Sequence, residues 1–295
     1  MIKKELEVVI LSDVHLGTYG CHAKELIQYL NSIKPELLII NGDFFDAWQF
    51  KKRYFPKEHL QVIQEIIKMS VLGTKVFYIT GNHDDIFRKF GELSAGNIHL
   101  RDKLVLHLQD KKYWIFHGDI FDFTVLSSPI LAKLGGKGYD LLILFNRMIN
   151  KCRVRFGLQP WSLAKKVKSG VKRAIKFIAD FELKAIHVAH EKGFDYVVCG
   201  HIHQPQIRKV DIKGHEVTYL NSGDWVESLT ALEYRFGNWQ LYKYDEADFN
   251  FVNRKLVPST DAETMLGLTK SLKKKAWFKR IVENAESNYQ DHILR

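Results

Sequence analysis

The sequence predicts an α/β fold with a helical insertion, and three observations support this. Strand and helix patterns alternate between residues 7 and 82, which is typical of βαβ units around a parallel sheet. Short strand patterns separated by turn residues return after residue 196. The segment between these two parts, about 123–189, is dominated by apolar residues at helical spacing.

The first part contains five predicted strands and two predicted helices. The strands lie at 7–12, 37–40, 76–80, 103–108 and 112–116, and the helices at 23–33 and 59–72. The second helix ends before Gly73, a residue type common just past a helix end. Residues 44–55 form an aromatic-rich loop.

The later part contains two predicted helical regions and then five strands. An apolar helix is expected at 139–152, and one or two basic helices at 162–191. The strands follow at 196–199, 205–211, 216–220, 228–235 and 239–244, and the last four are expected to form an antiparallel second half of the sheet system. Residues 1–245 therefore form one domain with a cap insertion at about 123–189. Residues 246–295 form a tail in which 271–286 has the pattern of a basic amphipathic helix, which docks on the core or lies on a membrane.

The composition is that of a globular chain from a reducing compartment. The 295 residues are 46% hydrophobic and 26% charged, and the three cysteines are spread along the chain, which is no disulfide framework. No apolar run approaches the roughly 18 residues that a membrane-spanning helix needs. We expect a cytoplasmic protein.

The net charge of +10 is concentrated in the insertion. Residues 124–195 contain 14 Lys and Arg against 5 Asp and Glu, and no acidic residue occurs between 141 and 179. Such a segment is either a solvated helical face or a contact with an anionic partner. As tentative substrate-binding or membrane-binding residues we select Lys165, Lys166, Lys172 and Arg173.

Seven polar residues follow predicted strand ends, mostly beside a glycine. They are Asp13, His15, Asp43, Asn82, His117, His201 and His203. Carboxylate, amide and imidazole ligands together suit borderline divalent ions such as Mn, Fe or Zn. Seven ligands suit two ions about 3.5–4 Å apart, and Asp43 is the natural bridge because a carboxylate can bind both. Apart from His83, the remaining eight histidines are expected to be structural or solvated.

These motifs resemble those of the calcineurin-like metallophosphoesterases. The resemblance rests on Asp13-x-His15, Gly42-Asp43, Gly81-Asn82-His83-Asp84, His117 and Gly200-His201-x-His203, in that order. It implies a four-layer αββα fold, a β-sandwich flanked by helices. It also implies that one metal is held by Asp13, His15, Asp43 and His203, and the second by Asp43, Asn82, His117 and His201. Manganese is the expected metal, with iron or zinc as alternatives.

The resemblance further implies hydrolysis of a phosphoester. The metals would polarise the phosphoryl group and lower the pKa of the attacking water. His83 would stabilise developing charge or protonate the leaving oxygen, with Asp84 orienting it.

Within this superfamily the chain most resembles the UDP-2,3-diacylglucosamine pyrophosphohydrolases of lipid A biosynthesis. The supporting stretches are 11–17, 41–46, 117–119 and 223–225, with a helical insertion before Gly200-His201. This implies release of UMP from a UDP-sugar lipid by an enzyme peripheral to the inner membrane. However, His83 stands where typical members have Arg, and a His there also marks a sister branch.

Two other functions stay open. A nuclease or nucleotide phosphodiesterase would use the basic insertion to hold a phosphate backbone, although its aliphatic content argues against this. A non-catalytic membrane-associated scaffold would keep the fold, although all seven ligands and His83 are present.

Overall fold

Two mixed β-sheets form the centre of the computed structural model, which describes residues 3–47, 54–124 and 163–249. The helices are α1 (Ala23–Ser32), α2 (Lys57–Val71) and α3 (Leu163–Glu191). The strands are β1 (Lys4–Leu11), β2 (Ile33–Asn41), β3 (Lys75–Ile79), β4 (Leu93–Ala95), β5 (Ile98–Arg101), β6 (Lys103–Leu108), β7 (Lys111–Phe116), β8 (Tyr196–Cys199), β9 (Gln206–Ile212), β10 (His215–Asn221), β11 (Thr230–Arg235) and β12 (Asn238–Lys243). Short 3₁₀ helices occupy Asp85–Phe90, Asp119–Thr124 and Glu246–Asp248.

The first sheet has seven strands in the order β12-β11-β1-β2-β3-β5-β4, and the second has five in the order β6-β7-β8-β10-β9. In the first sheet β1, β2, β3 and β5 are parallel, as the βαβ pattern predicts. In the second sheet β8 lies parallel to both β7 and β10. The α/β class with two mixed sheets flanked by helices is confirmed.

The strands β1 and β2 of the first sheet are apolar on both faces. In β1 and β2, Val8, Ile10, Leu37 and Ile39 point into a core shared with the second sheet. The alternate residues pack in a separate core with α1 and α2: these are Val9, Leu11, Leu38 and Ile40. Successive side chains of a strand point to opposite faces of the sheet, so alternate residues of β1 and β2 enter different cores. The sequence of each strand is therefore a nearly continuous apolar run.

The structure corrects two expectations about the strands. The strands β11 and β12 do not extend the second sheet, because β11 pairs antiparallel with β1 and β12 pairs with β11. In addition, β4 and β5 were not predicted, and they form the opposite edge of the first sheet. Both are short, at three and four residues, so neither gives a clear periodic signal.

The described residues divide into two compact units, one within Met1–Asp119 and Ile186–Arg295 and one within Ile120–Ala185. The predicted cap boundaries at 123 and 189 stay a prediction. The helices predicted at 139–152 and 271–286 lie outside the described residues. Among the helices that the structure describes, none is both long and apolar enough to cross a bilayer.

Candidate metal centre

The candidate metal ligands follow the carboxyl ends of five strands. Asp13 and His15 follow β1, Asp43 follows β2 and Asn82 follows β3, all in the first sheet. His117 follows β7, while His201 and His203 follow β8, in the second sheet. The structure brings these seven residues together, because strand ends that share one sheet edge also share one region of space.

Five of these residues have left-handed backbone conformations. Their φ angles are 53° for Asp13, 54° for His15, 52° for Asp43, 66° for His201 and 53° for His203. Non-glycine residues rarely adopt positive φ, and such conformations concentrate at functional sites where the surrounding structure enforces them. The loops therefore turn sharply enough to aim successive side chains at one point.

Two glycines allow the loops to approach each other closely. A Cβ atom on Gly81 would lie 2.2 Å from Oδ1 of Asp43, and one on Gly200 would lie 2.6 Å from Oδ2 of Asp13. Neither distance is compatible with a side chain, so these positions need glycine for space.

The first group of ligand atoms belongs to Asp13, His15 and His203, which lie within 4.8 Å of one another. Nε2 of His203 is 3.1 Å from Oδ1 of Asp13. The backbone amide of His201 donates to the same carboxylate at 3.0 Å, which fixes its orientation. Asp13 is fully buried.

The second group belongs to Asp43, His117 and His201, again within 4.8 Å. Nε2 of His117 lies 3.3 Å from Oδ2 of Asp43 and 3.3 Å from Oδ1 of Asn82. Nδ1 of His117 donates to the carbonyl of Asn41 at 2.9 Å, so Nε2 is the nitrogen that would bind a metal, after losing its proton.

Asp43 lies between the two groups. Its Oδ2 atom is 3.3 Å from Nε2 of His117 and 3.9 Å from Nε2 of His15. One carboxylate oxygen therefore faces ligands of both groups, which is the position that a bridging ligand occupies.

The electrostatics of the centre couple buried carboxylates to imidazoles. Burial disfavours the charged form of Asp43, but His117 above all holds the pKa of this carboxyl well below its usual range. Burial likewise opposes protonation of His117, yet Asp43 raises the pKa of this imidazole to about 10. Concentrated negative charge around imidazole ligands is suited to a cation.

The residues present fit a pair of divalent metals. Nε2 of His15 is buried and has no hydrogen-bond partner within the described ranges. Leaving a buried nitrogen without a partner costs about 1–3 kcal/mol. Binding of a metal by this nitrogen would remove that cost. The surrounding oxygen and imidazole donors match the preferences of borderline divalent ions.

His83 lies at the edge of this centre and is paired with a carboxylate other than the expected one. Its backbone amide donates to Oδ1 of Asp43 at 2.8 Å. Its Nδ1 atom is 3.3 Å from Oδ2 of Asp46, while its Nε2 atom is 4.0 Å from Oδ2 of Asp43. Burial lowers the pKa of His83, but Asp46 and Asp43 together raise it above the ordinary value. The ring therefore turns Nε2 toward the metal ligands.

That Asp84 orients His83 stays a prediction, and the described contacts of its carboxylate are with the surrounding loop. The Asp84 carboxylate accepts from the amides of Gly81 and Phe44 at 2.6 and 2.9 Å, and from the hydroxyl of Tyr78. Asp84 thus shapes the loop, and Asp46 holds the ring. The sequence does contain a signal for Asp46, because an acidic residue is unusual in an aromatic-rich loop. In the structure this residue is only 4% exposed.

The tentative basic residues lie in the other unit. Lys165, Lys166, Lys172 and Arg173 belong to α3, in a stretch whose side chains are outside the description. Their role in binding substrate or membrane stays a prediction.

The family profile for calcineurin-like phosphoesterases matches residues 6–205. The chain therefore belongs to the calcineurin-like phosphoesterase family, and six of its seven expected ligands belong to side-chain clusters that could hold a metal ion.

Several curated relatives are similar over nearly their whole length. The UDP-2,3-diacylglucosamine hydrolase of Aliivibrio fischeri (strain MJ11) is 25% identical over 241 residues, which cover 81% of this chain and 98% of that protein. The protein of the same name from Pseudomonas fluorescens (strain SBW25) is 27% identical over 258 residues, covering 85% and 98%. A solved archaeal phosphodiesterase is 14% identical, with 80% and 98% coverage and a TM-score of 0.36, too low to support any conclusion.

Proposed function

We propose that this chain hydrolyses the diphosphate of UDP-2,3-diacylglucosamine and releases UMP and a diacylglucosamine 1-phosphate. The observation that carries the proposal is the convergence of all seven expected ligands, in a chain similar over 98% of the length of relatives bearing that name. Those relatives are only 25–27% identical, so the substrate is the part of the proposal that most needs a test.

Two divalent ions, manganese foremost, would be held by the two ligand groups. In this proposal Asp13, His15, Asp43 and His203 hold one ion, and the other is held by Asp43, Asn82, His117 and His201. Such a pair supplies Lewis acidity at the phosphoryl group and makes an attacking water more acidic.

The protein's own contribution to proton transfer would come from His83. With Nδ1 facing Asp46 at 3.3 Å, the imidazole keeps Nε2 directed at the centre. A proton on Nε2 is then in position to pass to the leaving oxygen, and Asp46 stabilises the ring in that state and orientation. The distances from the His83 ring to the carboxylates of Asp46, 3.3 Å, and Asp43, 4.0 Å, support this role.

The membrane contact belongs to the same proposal. A lipid-linked substrate resides at a membrane surface, and each cationic side chain near an anionic bilayer contributes about 1 kcal/mol of binding. We assign this contact to the basic face containing Lys165, Lys166, Lys172 and Arg173, which would make the protein peripheral to the cytoplasmic side of the inner membrane.

One observation favours a second function. His83 stands at a position where the resembling lipid A enzymes have Arg, so a sister branch acting on another nucleotide or phospholipid ester is the alternative.

The test is a mass-spectrometric turnover assay with Mn²⁺, using UDP-2,3-diacylglucosamine, UDP-N-acetylglucosamine and a short single-stranded DNA. UMP release from the acylated substrate alone is the expected result. Cleavage of another substrate without that release would favour the sister branch. The Asp43→Asn variant controls for contaminating hydrolases.

A further inference from the structure

Two tyrosine rings stack on each other near the loop that carries His15. The ring centroids of Tyr19 and Tyr54 are 3.8 Å apart, with an interplanar angle of 31°. Tyr19 is nevertheless 77% exposed, whereas Tyr54 is partly buried. Since Tyr54 covers one face of the Tyr19 ring, the opposite face is open to a ligand.

The loop before Tyr19 is fixed to the candidate metal ligand. The amide and hydroxyl of Thr18 both donate to the carbonyl of His15, at 3.2 and 2.9 Å. The amide of Gly17 donates to Nδ1 of His59 at 2.9 Å. Tyr19 is four positions after His15, so their Cα atoms are at most about 14 Å apart.

The supporting ring is fixed as well. Tyr54 packs edge-to-face on His59, with centroids 5.9 Å apart and an angle of 89°. His59 is 2% exposed and belongs to α2. Both tyrosines are thus anchored to the same buried imidazole, one through its neighbouring loop and one through its ring. An aromatic surface ordered in advance loses little freedom when a ligand binds.

We propose that the open face of Tyr19 stacks on the nucleobase of a nucleotide whose phosphate occupies the metal centre. The inference rests on the proposed function, and it assigns the uracil of the substrate and of the product UMP to this ring. Aromatic side chains stack on the flat face of any base, so this contact provides affinity for a nucleoside without selecting uracil over other bases.

Isothermal titration of the full-length, manganese-loaded protein tests this inference without relying on turnover. The probes are UMP and ribose 5-phosphate, which differ by the base. The variants are Tyr19→Ala and Tyr19→Phe, with Phe236→Ala as a matched control. Phe236 is an aromatic residue that is 71% exposed, in the turn between β11 and β12.

The wild-type protein is expected to bind UMP about tenfold more tightly than ribose 5-phosphate. Tyr19→Ala should remove this preference and leave the affinity for ribose 5-phosphate within about twofold, while Tyr19→Phe and Phe236→Ala should preserve it. A preference for UMP that survives in Tyr19→Ala would overturn the inference. So would a wild-type protein with no such preference, or equal weakening of both probes by Tyr19→Ala.

The turnover assay separates this inference from the proposed function. If the protein hydrolyses UDP-2,3-diacylglucosamine but its preference for UMP is unchanged in Tyr19→Ala, only the stacking inference is contradicted. If the preference for UMP depends on Tyr19 but UDP-2,3-diacylglucosamine is not hydrolysed, only the proposed substrate is contradicted.

Discussion

The two sheets bring different chemistry to the candidate metal centre. The seven-stranded sheet supplies every oxygen ligand, from Asp13, Asp43 and Asn82, together with one imidazole from His15. The five-stranded sheet supplies imidazoles only, from three histidines after β7 and β8. Each of the two ligand groups described above contains residues from both sheets, whereas a third cluster, of His15, Asp43 and His83, belongs to the seven-stranded sheet alone. Formation of the centre therefore requires the sheets to pack.

Hydrogen bonds join the sheets at the end where the centre lies. The side chain of Asn41 donates to the carbonyl of Phe116 at 3.0 Å, and the Ser12 hydroxyl lies 2.6 Å from that of Ser222. Apolar side chains from both sheets form the core between them, and the indole N–H of Trp239 also donates to the Tyr113 hydroxyl across it at 3.3 Å. Directional contacts thus fix the position of the ligands, while hydrophobic burial holds the sheets together.

The largest expected effect comes from Asp43, whose carboxylate faces both groups. Asp43→Asn should lower the occupancy of both metals together and reduce turnover about a thousandfold, since metal stabilisation of the transition state is worth several kcal/mol. Elemental analysis of the purified variant measures this. His203→Ala, which alters only the first group, is the matched comparison and should lose one metal preferentially. Loss of a single metal from Asp43→Asn would contradict the bridging position.

The next effect concerns proton transfer rather than metal binding. His83→Ala should retain both metals but lower kcat by about 10²–10⁴, the usual contribution of a general acid or base. Asp46→Asn alters the partner of Nδ1 of His83, and the same carboxylate lies 3.8 Å from Nδ1 of His15. This variant should lower kcat less, by about 10–100-fold, and its metal content is measured as well. Metal analysis and steady-state kinetics together distinguish proton transfer from metal binding. Loss of metal from His83→Ala would show that His83 is a metal ligand.

A smaller effect is expected where the loops touch across the sheets. Gly200→Ala places a Cβ atom 2.6 Å from the Asp13 carboxylate and should destabilise the fold by about 1–3 kcal/mol through overpacking. Gly20→Ala is the matched comparison, because neither glycine has a positive φ and the added carbon at position 20 would lie 3.0 Å from Cγ1 of Val226, away from any candidate ligand. Chemical denaturation compares the two, and equal destabilisation would show that crowding at the centre is unimportant.

The smallest effect lies in the second sheet, where Nζ of Lys111 is 2.9 Å from Oδ1 of Asp195. Burial raises the pKa of Asp195, but its hydrogen bond from Lys111 and that from the Lys112 amide lower it below the ordinary value of 3.8. Because the folded-state pKa is the lower one, the stabilisation is present above pH 3.8 and is lost as the pH falls through the folded value.

Asp195→Asn should therefore lower the free energy of unfolding by at most about 1 kcal/mol at pH 7, given the exposure of Lys111. Urea denaturation at pH 7 and pH 3 measures the difference. A larger loss at pH 3 than at pH 7 would contradict this sign.

The sequence was sufficient to predict which residues come together at the candidate centre, because a strand end followed by glycine and a polar residue is a local pattern. The sequence was not sufficient to assign β11 and β12 to the first sheet. Alternating apolar residues identify a strand, but they do not show with which strand it pairs. The contact between His83 and Asp46 was also not predicted. Adjacency favoured Asp84, but the turn of the loop directs that carboxylate to Gly81, Phe44 and Tyr78.

The left-handed backbone of the ligand residues has a consequence for engineering. Each non-glycine residue in a sparsely populated conformation stores about 1–3 kcal/mol, although Asp tolerates this region better than most residues. Glycine at positions 15, 201 or 203 would relieve that strain and remove an imidazole at the same time. A directed-evolution campaign that selects only for heat resistance would thus favour inactive descendants, so any thermostable version must be screened for metal retention in every round.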